Sequence, residues 1–462
     1  MRYYFIVSMF LQSSLNQLVP KKVRNLRHLF YAWRGAVKYH HPSEELFVLG
    51  ITGTSGKSST TYFLRQMLEE IGYTVGSLST IDFYVAGENK LNDQKMTMLG
   101  KMQIQKYLRE MVTAGCDIAI VETTSEGRLQ HRHRFSNYDT MMLTNLYPEH
   151  IDSHGSFENY KQAKKDIFEY VSTCKRKNFQ KLERDKLQAL FSGDIPKGAI
   201  VNSDHEYAQE FFYKDFERKF VFGVQTKKFT EVKETFFAEN IRSDKKGLSF
   251  DVQGHHFFAP LFGEHNVSNI CGAIAFLRSW NIDWSVVEQV VSHLKGPEGR
   301  LEFIPEAKQK GFDVIVDYAF EPVAMQKLYE VVQLLSPKRV IHVFGGTGGG
   351  RDIARRFTVG EFVGKNADVC IVTDEDPYDD NPQTIIDDVA SAALKAGHKE
   401  GKTLFKILDR REAIEKAMQM AEPGDLILVT GKGSEQGMVV KGKIISWDDR
   451  KEVRAALAKR EM

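Results

Sequence analysis

Gly50-Ile51-Thr52-Gly53-Thr54-Ser55-Gly56-Lys57-Ser58-Ser59 lies between the apolar run Phe47-Val48-Leu49 and a segment that places Phe63, Leu64, Met67, Leu68 and Ile71 on one helical face. Strand, glycine loop and helix in this order form a phosphate cradle. The glycines let backbone N–H groups turn towards an anion, and the helix start adds partial positive charge. Lys57 is then placed to reach β- and γ-phosphates, and Ser58 to hold Mg²⁺. The alternative is a glycine-rich turn with a surface lysine, which the three elements in sequence disfavour. Five residues, not four, separate Gly50 from Gly56, a departure from the common spelling of such loops. Gly72 marks the expected left-handed end of the helix.

Working outward, short apolar runs recur at FVLGITG (47–53), DIAIVET (117–123), TMMLTNL (140–146), VIVDYA (314–319), RVIHVFGG (339–346), DVCIVTD (368–374) and DLILVTG (425–431). Their alternation with helical patterns predicts an α/β fold, with parallel sheets covered by helices. From about 200 to 260 the runs AIVNSD, KFVFGV, LSFDVQG and HHFFAPL are short and closely spaced, which predicts an antiparallel addition to the same domain. Gly and Pro cluster in GPEGRLEFI, so a boundary is expected near residues 297–303.

The 462 residues are enough for about three domains. With 42% apolar and 27% charged residues the composition is globular rather than disordered. Lys+Arg 63 against Asp+Glu 61 leaves +2, so no basic field points to a nucleic-acid partner. Cys116, Cys174, Cys271 and Cys370 lie far apart with no C-x-x-C pair. That spacing supports neither a zinc ribbon nor a disulfide frame, and fits a reducing cytoplasm. The run Tyr3–Leu11 is about half of the ~20 residues needed to span a bilayer. It has the look of a signal-peptide core behind Arg2, but no small-x-small cleavage site follows, so a cytoplasmic location is expected.

Open α/β sheets bind ligands at the carboxyl ends of their strands. Glu122 ends one such run, ahead of Thr123-Thr124-Ser125, where it would hold Mg²⁺ or else cap a helix or pair with a cation. Thr144-Asn145-Leu146 ends the next run. Glu149, His150, Asp152, His154 and Glu158 follow closely, which predicts a metal shell.

GTSGKSS, VETTSEG, TNLYPEHIDSHGSFENYKQAKKDIF, PLFGEHNVSN, GRLEFI, VDYAFEP and TGKGSE occur in the order and rough spacing of the Mur ligases. Over about residues 47–455 the chain most resembles the branch that adds the third residue of the peptidoglycan stem peptide. The resemblance implies a central P-loop ATPase domain, 47–297, and a Rossmann-like C-terminal domain, 298–462, after a short segment, 1–46. It implies an ATP-dependent ligase of the EC 6.3.2 type. Such an enzyme adds an amino acid to a muramoyl-peptide carboxylate through an acyl phosphate, with ATP and two Mg²⁺.

By the same resemblance, Gly53, Thr54, Gly56, Lys57, Ser58 and Ser59 match the ATP loop, and Ser58, Glu122 and His150 match metal ligands. Lys164 matches a lysine that family members carbamylate into a further metal ligand; the change turns a cation into an anion, which a metal site can use. Lys165 beside it fits a solvated helix lysine better. Gly263, His265, Asn266 and Asn269 match the stretch that meets adenine, and Arg300 and Asp317 match residues that close over ATP, against plain turn and cap roles. Gly431, Lys432, Gly433 and Glu435 match the loop that meets the incoming amino acid, with Ser434 in place of its histidine.

Three departures qualify these expectations. About 46 residues precede the ATP loop, too few for the family's UDP-binding domain. Glu375-Asp376-Pro377-Tyr378 aligns with D-N-P-R, so Tyr378 stands where an arginine would pair a distal carboxylate. Diaminopimelate is therefore not expected and lysine is one candidate. Glu375 and Asp376 would meet its distal ammonium, unless the acids 374–376, 379 and 380 form a solvated loop. Phe320 in DYAFEP replaces a polar side chain.

Residues 1–43 carry Arg2, Lys21, Lys22, Arg24, Arg27, Arg34 and Lys38 and no acid. Leu26, Leu29, Phe30 and Trp33 follow helical spacing. Such a helix either packs on the ATPase domain or lies on anionic lipid, where it would bring the enzyme to a lipid-linked muropeptide. Two other functional readings stand beside the muramoyl ligase: a folylpolyglutamate-synthase-like ligase, and a nucleotide-binding subunit that forms no amide.

Overall fold

The computed structural model describes residues 21–92, 96–148, 154–181, 185–350 and 353–460. Residues 1–20 and Glu149, His150 and Asp152 lie outside the described residues.

The first sheet has eleven strands: β1 (Phe47–Thr52), β2 (Val75–Leu78), β3 (Asp82–Val85), β4 (Glu88–Leu91), β5 (Ile118–Glu122), β6 (Thr140–Leu143), β7 (Gly198–Asn202), β8 (Arg218–Gly223), β9 (Glu234–Asp244), β10 (Gly247–Val252) and β11 (His255–Ala259). Their order is β11-β10-β9-β8-β7-β6-β1-β5-β2-β3-β4. Every residue of β1, β5, β6 and β7 is buried, as expected for strands covered on both faces. The second sheet runs β12-β13-β17-β14-β15-β16. Its members are β12 (Glu302–Phe303), β13 (Asp313–Asp317), β14 (Arg339–Phe344), β15 (Val369–Val372), β16 (Leu404–Lys406) and β17 (Asp425–Thr430). All its pairings are parallel except β12–β13.

The antiparallel expectation needs correction in two places. AIVNSD and KFVFGV are β7 and β8, and both run parallel to their neighbours. Only β9–β10–β11 reverse direction. Lys245-Lys246 and Gln253-Gly254 are two-residue links, which force an antiparallel return, whereas the longer connections before β8 and β9 carry the chain back to the same edge. Gln253 and Gly254 both have positive φ, 51° and 81°, as a type I′ hairpin requires. A second antiparallel piece, β2–β3–β4, closes the opposite edge.

Five helices position the site. They are α1 (Lys21–Lys38), α2 (Lys57–Glu70), α3 (Lys101–Thr113), α4 (Ser125–Leu129) and α5 (Phe157–Ser172). A sixth, α6 (His265–Ser279), is apolar almost all round and is buried in the core against the sheet and α2. α2 ends as the sequence predicts, with Gly72 at φ 96°. α1 packs Ala32, Gly35 and Ala36 against α3 and leaves Val23, Leu26, Phe30, Trp33 and Val37 exposed.

A buried charge cluster pins the amino ends of three central strands. Asp139 accepts from Val48 N at 2.8 Å, Lys177 Nζ at 2.5 Å and Lys197 Nζ at 3.1 Å. The three charged side chains are at most 2% exposed. Lys177 also donates to Leu46 O and Lys197 to Tyr138 O, and burial pushes the Lys177 ammonium below its ordinary pKa. Removing one member of such a group strands the others without compensation. Asp139→Asn is expected to lower unfolding free energy by about 3–5 kcal/mol. Urea unfolding checks this, and a loss below about 1 kcal/mol would contradict the role given to Asp139.

Candidate functional site

Strand order reverses at β1, which lies between β5 and β6. The segments leaving the carboxyl ends of these three strands therefore converge, and a ligand site belongs at that point. The β1 loop is held by the β6 end. Asn145 Oδ1 accepts from Thr54 N at 3.0 Å and Ser55 N at 2.9 Å, and Thr144 Oγ1 donates to Ser55 O at 2.6 Å. The N–H groups of Thr54 and Ser55 are thus committed to protein. The anion-facing donors are those of the first turn of α2, Lys57 to Ser59, which have no intrahelical partner. Gly56 caps that turn at φ 78°, and a Cβ there would lie 2.3 Å from Asn269 Oδ1.

Two ammonium groups enter the same loop. Lys57 Nζ donates to Gly53 O and Thr54 O, each at 2.9 Å, and Lys164 Nζ donates to Gly53 O, also at 2.9 Å. Lys164 is 1% exposed and lies over the Tyr160 ring, so the solvated-lysine reading does not hold for it. Lys165 instead turns outward to Glu210 at 2.9 Å. The side chains α5 sends inwards are the reason: Tyr160, Ala163, Lys164, Ile167 and Phe168 are all buried.

Glu122 ends β5, 1% exposed, and accepts from Thr80 N at 3.0 Å and Thr80 Oγ1 at 3.1 Å. Burial pushes its carboxyl pKa up, while the Lys57 charge and the Thr80 and Ser58 donors oppose the rise. It caps no helix. Ser58 Oγ and the Glu122 carboxylate are hard oxygen donors side by side, a set that Mg²⁺ accepts while keeping waters and substrate phosphates.

Asn269 bonds Asn266, 3.2 Å, and Asn266 bonds Phe262 O, 2.8 Å, so the α6 start lines the loop from the far side. His265 beside them is pushed down to about 4 by burial and by the Lys327 and Arg300 charges. Arg300 lies over the Tyr318 ring, 5.0 Å, and its Nε is buried with no hydrogen-bond partner among the described residues. Asp317 accepts from Leu301 N and Ala319 N, each 2.7 Å, which is a turn-fixing role; burial raises its carboxyl pKa.

In the second sheet, Lys432 Nζ sits between Asp376 Oδ2, 2.8 Å, and Glu435 Oε2. Asp376 also accepts from Val439 N, and Glu435 accepts from Tyr318 OH at 3.2 Å. Glu375 lies against Gly431, where a Cβ would fall 2.5 Å from Glu375 Oε2. Glu375 and Asp376 are buried while Asp379 and Asp380 are exposed, so the solvated-loop reading fails for the first pair. Asp376 is already matched by an internal ammonium, which leaves Glu375 to face a cleft shared with Phe320, Arg355 and Arg356. Tyr378, at φ 54°, packs on Gly349.

A model described as the Mur ligase middle domain matches residues 51–277, and one described as Mur ligase, glutamate ligase domain matches residues 299–433. A UDP-N-acetylmuramyl-tripeptide synthetase of Roseiflexus sp. (strain RS-1) is 33% identical over 431 residues, 92% of this chain and 81% of its own length. The chain belongs to the Mur ligase family. A UDP-N-acetylmuramoyl-L-alanyl-D-glutamate–2,6-diaminopimelate ligase of Clostridium tetani (strain Massachusetts / E88) is 30% identical, over 94% of this chain and 82% of that protein. Folylpolyglutamate synthase of Mycobacterium tuberculosis superposes with a TM-score of 0.64 at 16% identity, covering 88% of this chain and 93% of that one. Identity that low shows the shared fold alone.

Reading motifs along the sequence misses the residues that make this Mur ligase site cohere. Thr80 holds Glu122, Tyr160 reaches Thr54 Oγ1 at 3.0 Å, and Arg410 lies fully buried on Asp449 with its charge on Glu375. Thr80 and Arg410 stand in none of the quoted motifs, and Tyr160 stands in one without a spacing that assigns it a role. Lys164→Ala is expected to lower kcat by at least about 10²-fold, with rescue by short carboxylic acids, while Lys165→Ala stays within about twofold. Turnover assays on folded variants decide it; a dead Lys165→Ala beside an active Lys164→Ala would reverse the assignment.

Proposed function

We propose that this Mur ligase joins an amino-acid amine to the carboxylate of a muramoyl-peptide acceptor at the expense of ATP. The observation that carries the reading is the convergence of Lys57 and Lys164 on one carbonyl of the phosphate loop, beside Glu122. An acceptor carboxylate oxygen attacks the γ-phosphorus and ADP leaves, forming an acyl phosphate. Lys57 and the α2 amino end balance the charge spread over the transferring oxygens. The amine then attacks the acyl carbon, and the tetrahedral intermediate expels phosphate and leaves the amide. Bound Mg²⁺ supplies charge neutralisation at the phosphate oxygens. Ser58 and Glu122 would hold one ion, and His150 and Lys164 as its carbamate would hold a second. Asn266, Asn269 and Arg300 would frame the nucleotide, and Asp317 fixes the turn that carries Arg300.

The same reading divides the chain at 46/47 and 297/298, supported by the two sheets falling on either side. The folylpolyglutamate alternative has fold similarity in its favour, whereas the Roseiflexus and Clostridium tetani relatives at 33% and 30% identity carry muramoyl-peptide names. None of the described helices is long and apolar enough to cross a membrane. Our reading places the enzyme in the cytoplasm, with the apolar exposed stripe of α1 resting on anionic lipid.

For the amino acid, Glu375 and Arg355 offer the cleft a carboxylate and a guanidinium. Tyr378 leaves a second distal carboxylate without the bidentate contact an arginine gives. Lysine is expected to outcompete meso-diaminopimelate, and clear preference for diaminopimelate would refute the pocket assignment. Burial, together with Asp376 and Glu435, pushes the Glu375 carboxyl up to about 7 against Arg410 and Lys432. It is therefore neutral at pH 6 and ionised at pH 8, and an ammonium binds the ionised form. With acceptor saturating, KM for lysine should fall as pH rises across this range, and Glu375→Gln should flatten the profile. A flat profile in the unmodified enzyme would remove Glu375 from the pocket.

A further inference from the structure

Lys295-Gly296-Pro297-Glu298 joins the two sheets, and each end of this link is gripped by a different body. On the near side, the side-chain amide of Gln66, on α2, takes both backbone groups of Lys295. Gln66 Oε1 accepts from Lys295 N and Gln66 Nε2 donates to Lys295 O, each at 3.0 Å. His293 Nδ1 meets Glu70 Oε1 at 2.6 Å, and Leu294 is buried in the core shared with α2. The chain as far as Lys295 therefore travels with the helix whose amino end forms the phosphate cradle.

On the far side, Arg300 N donates to Pro297 O at 3.1 Å, closing a turn with Gly299 at φ 66°. A Cβ on Gly299 would fall 2.2 Å from Gly433 C and from Ser434 N, and one on Gly433 would fall 2.5 Å from Gly299 O and 2.6 Å from Tyr318 Cα. The turn and the Gly431–Glu435 loop thus touch backbone to backbone. Arg450, 5% exposed in the helix Asp449–Lys459, pairs with Glu298, and Asp317 holds Leu301 N. From this turn onward the chain, Arg300 included, travels with the second sheet.

Gly296 stands between the two grips and makes no hydrogen bond among the described residues. A Cβ there would meet nothing closer than 3.8 Å, and its φ lies outside the left-handed region. This arrangement has no need of a glycine at 296. The freedom of that residue serves a second arrangement, reached by turning about Gly296 while the ring of Pro297 keeps its own φ fixed. Phe262 and Phe303, 4.9 Å apart, touch across the link through side chains that such a turn lets slide.

We propose that the link bends at Gly296, and that Gln66 is a positioning residue that roots this bend on the phosphate helix, so that Arg300 and the Gly431–Glu435 loop swing as one piece towards the phosphate loop. This rests on the ligase reading above, in which the amine must reach the acyl carbon before water does. Without Gln66 the torsions of Lys295 join those of Gly296, and the amine loop arrives over a wider range of angles.

The test uses spin labels on Lys246→Cys and Lys395→Cys, exposed positions on either side of the link, in the full chain with ADP and Mg²⁺. Cys174→Ser removes the one native cysteine that is not buried. Gln66→Met, of similar size but able to make neither bond, should broaden the label distance distribution at least about twofold, and Gly296→Ala should narrow it by about as much. A pair within the second domain, Lys308→Cys and Lys395→Cys, should keep its width in both variants. In ligation, Gln66→Met should raise the phosphate released per amide at least about twofold while ADP affinity by calorimetry stays within about twofold, because acyl phosphate is lost to water. Gln66→Glu, which keeps the acceptor for Lys295 N, should lie between. Unchanged width across the link in either variant, or an equal change within the second domain, would overturn the bend and its root. Unchanged phosphate per amide in Gln66→Met would overturn the positioning role. Failure of the ligase reading shows separately, as no amide from any acceptor in the unmodified enzyme while the label distances still respond; that result keeps the bend and overturns its part in amide formation.

Discussion

Gly53 O receives two ammonium groups, Lys57 from the helix that follows the loop and Lys164 from a helix more than a hundred residues later. The two charges lie within about 6 Å of each other, and at an effective dielectric near 20 their repulsion is about 3 kcal/mol. The fold bears that cost by fixing both lysine stems, Lys57 in the first turn of α2 and Lys164 on the buried side of α5. An anionic phosphate chain between them removes the repulsion, and so does a change of sign at Lys164. The Glu122 carboxylate, whose charge acts on Lys57, offsets part of that repulsion.

The rest of the site serves this convergence. The β1 loop could not hold its shape alone, since its central N–H groups are tied to Asn145 at the end of β6. α6 supplies Asn269 at the distance that only a glycine at position 56 permits. Glu122 reaches the same space because β5 pairs directly with β1, placing Glu122 opposite Ile51. Strand order, rather than any one motif, brings the three segments together.

Much of this was legible in the sequence. Apolar runs located β1, β5 and β6 of the first sheet and β13, β14, β15 and β17 of the second, because strands covered on both faces are continuously apolar, while the short parallel strands β2 and β16 fell outside them; the glycine loop identified the strand–helix unit at β1. The direction of β7 and β8 was not legible, since it depends on what the intervening connections do in space. Lys164 was distinguishable from Lys165 only by resemblance; the helix phase that buries one and turns the other to Glu210 depends on the sheet beneath. The contact of Lys432 with Asp376 was equally hidden: Glu435 is three residues from Lys432 in the same loop, but Asp376 is 56 residues away and meets it only across the parallel sheet.

The central claim is that phosphate is transferred to the acceptor carboxylate before the amide forms. Ligation with an acceptor whose reacting carboxylate is labelled with ¹⁸O, followed by mass spectrometry of the inorganic phosphate, tests it most directly. The account predicts one ¹⁸O atom in each phosphate released, in step with amide formation. Unlabelled phosphate, or label appearing in AMP, would contradict it.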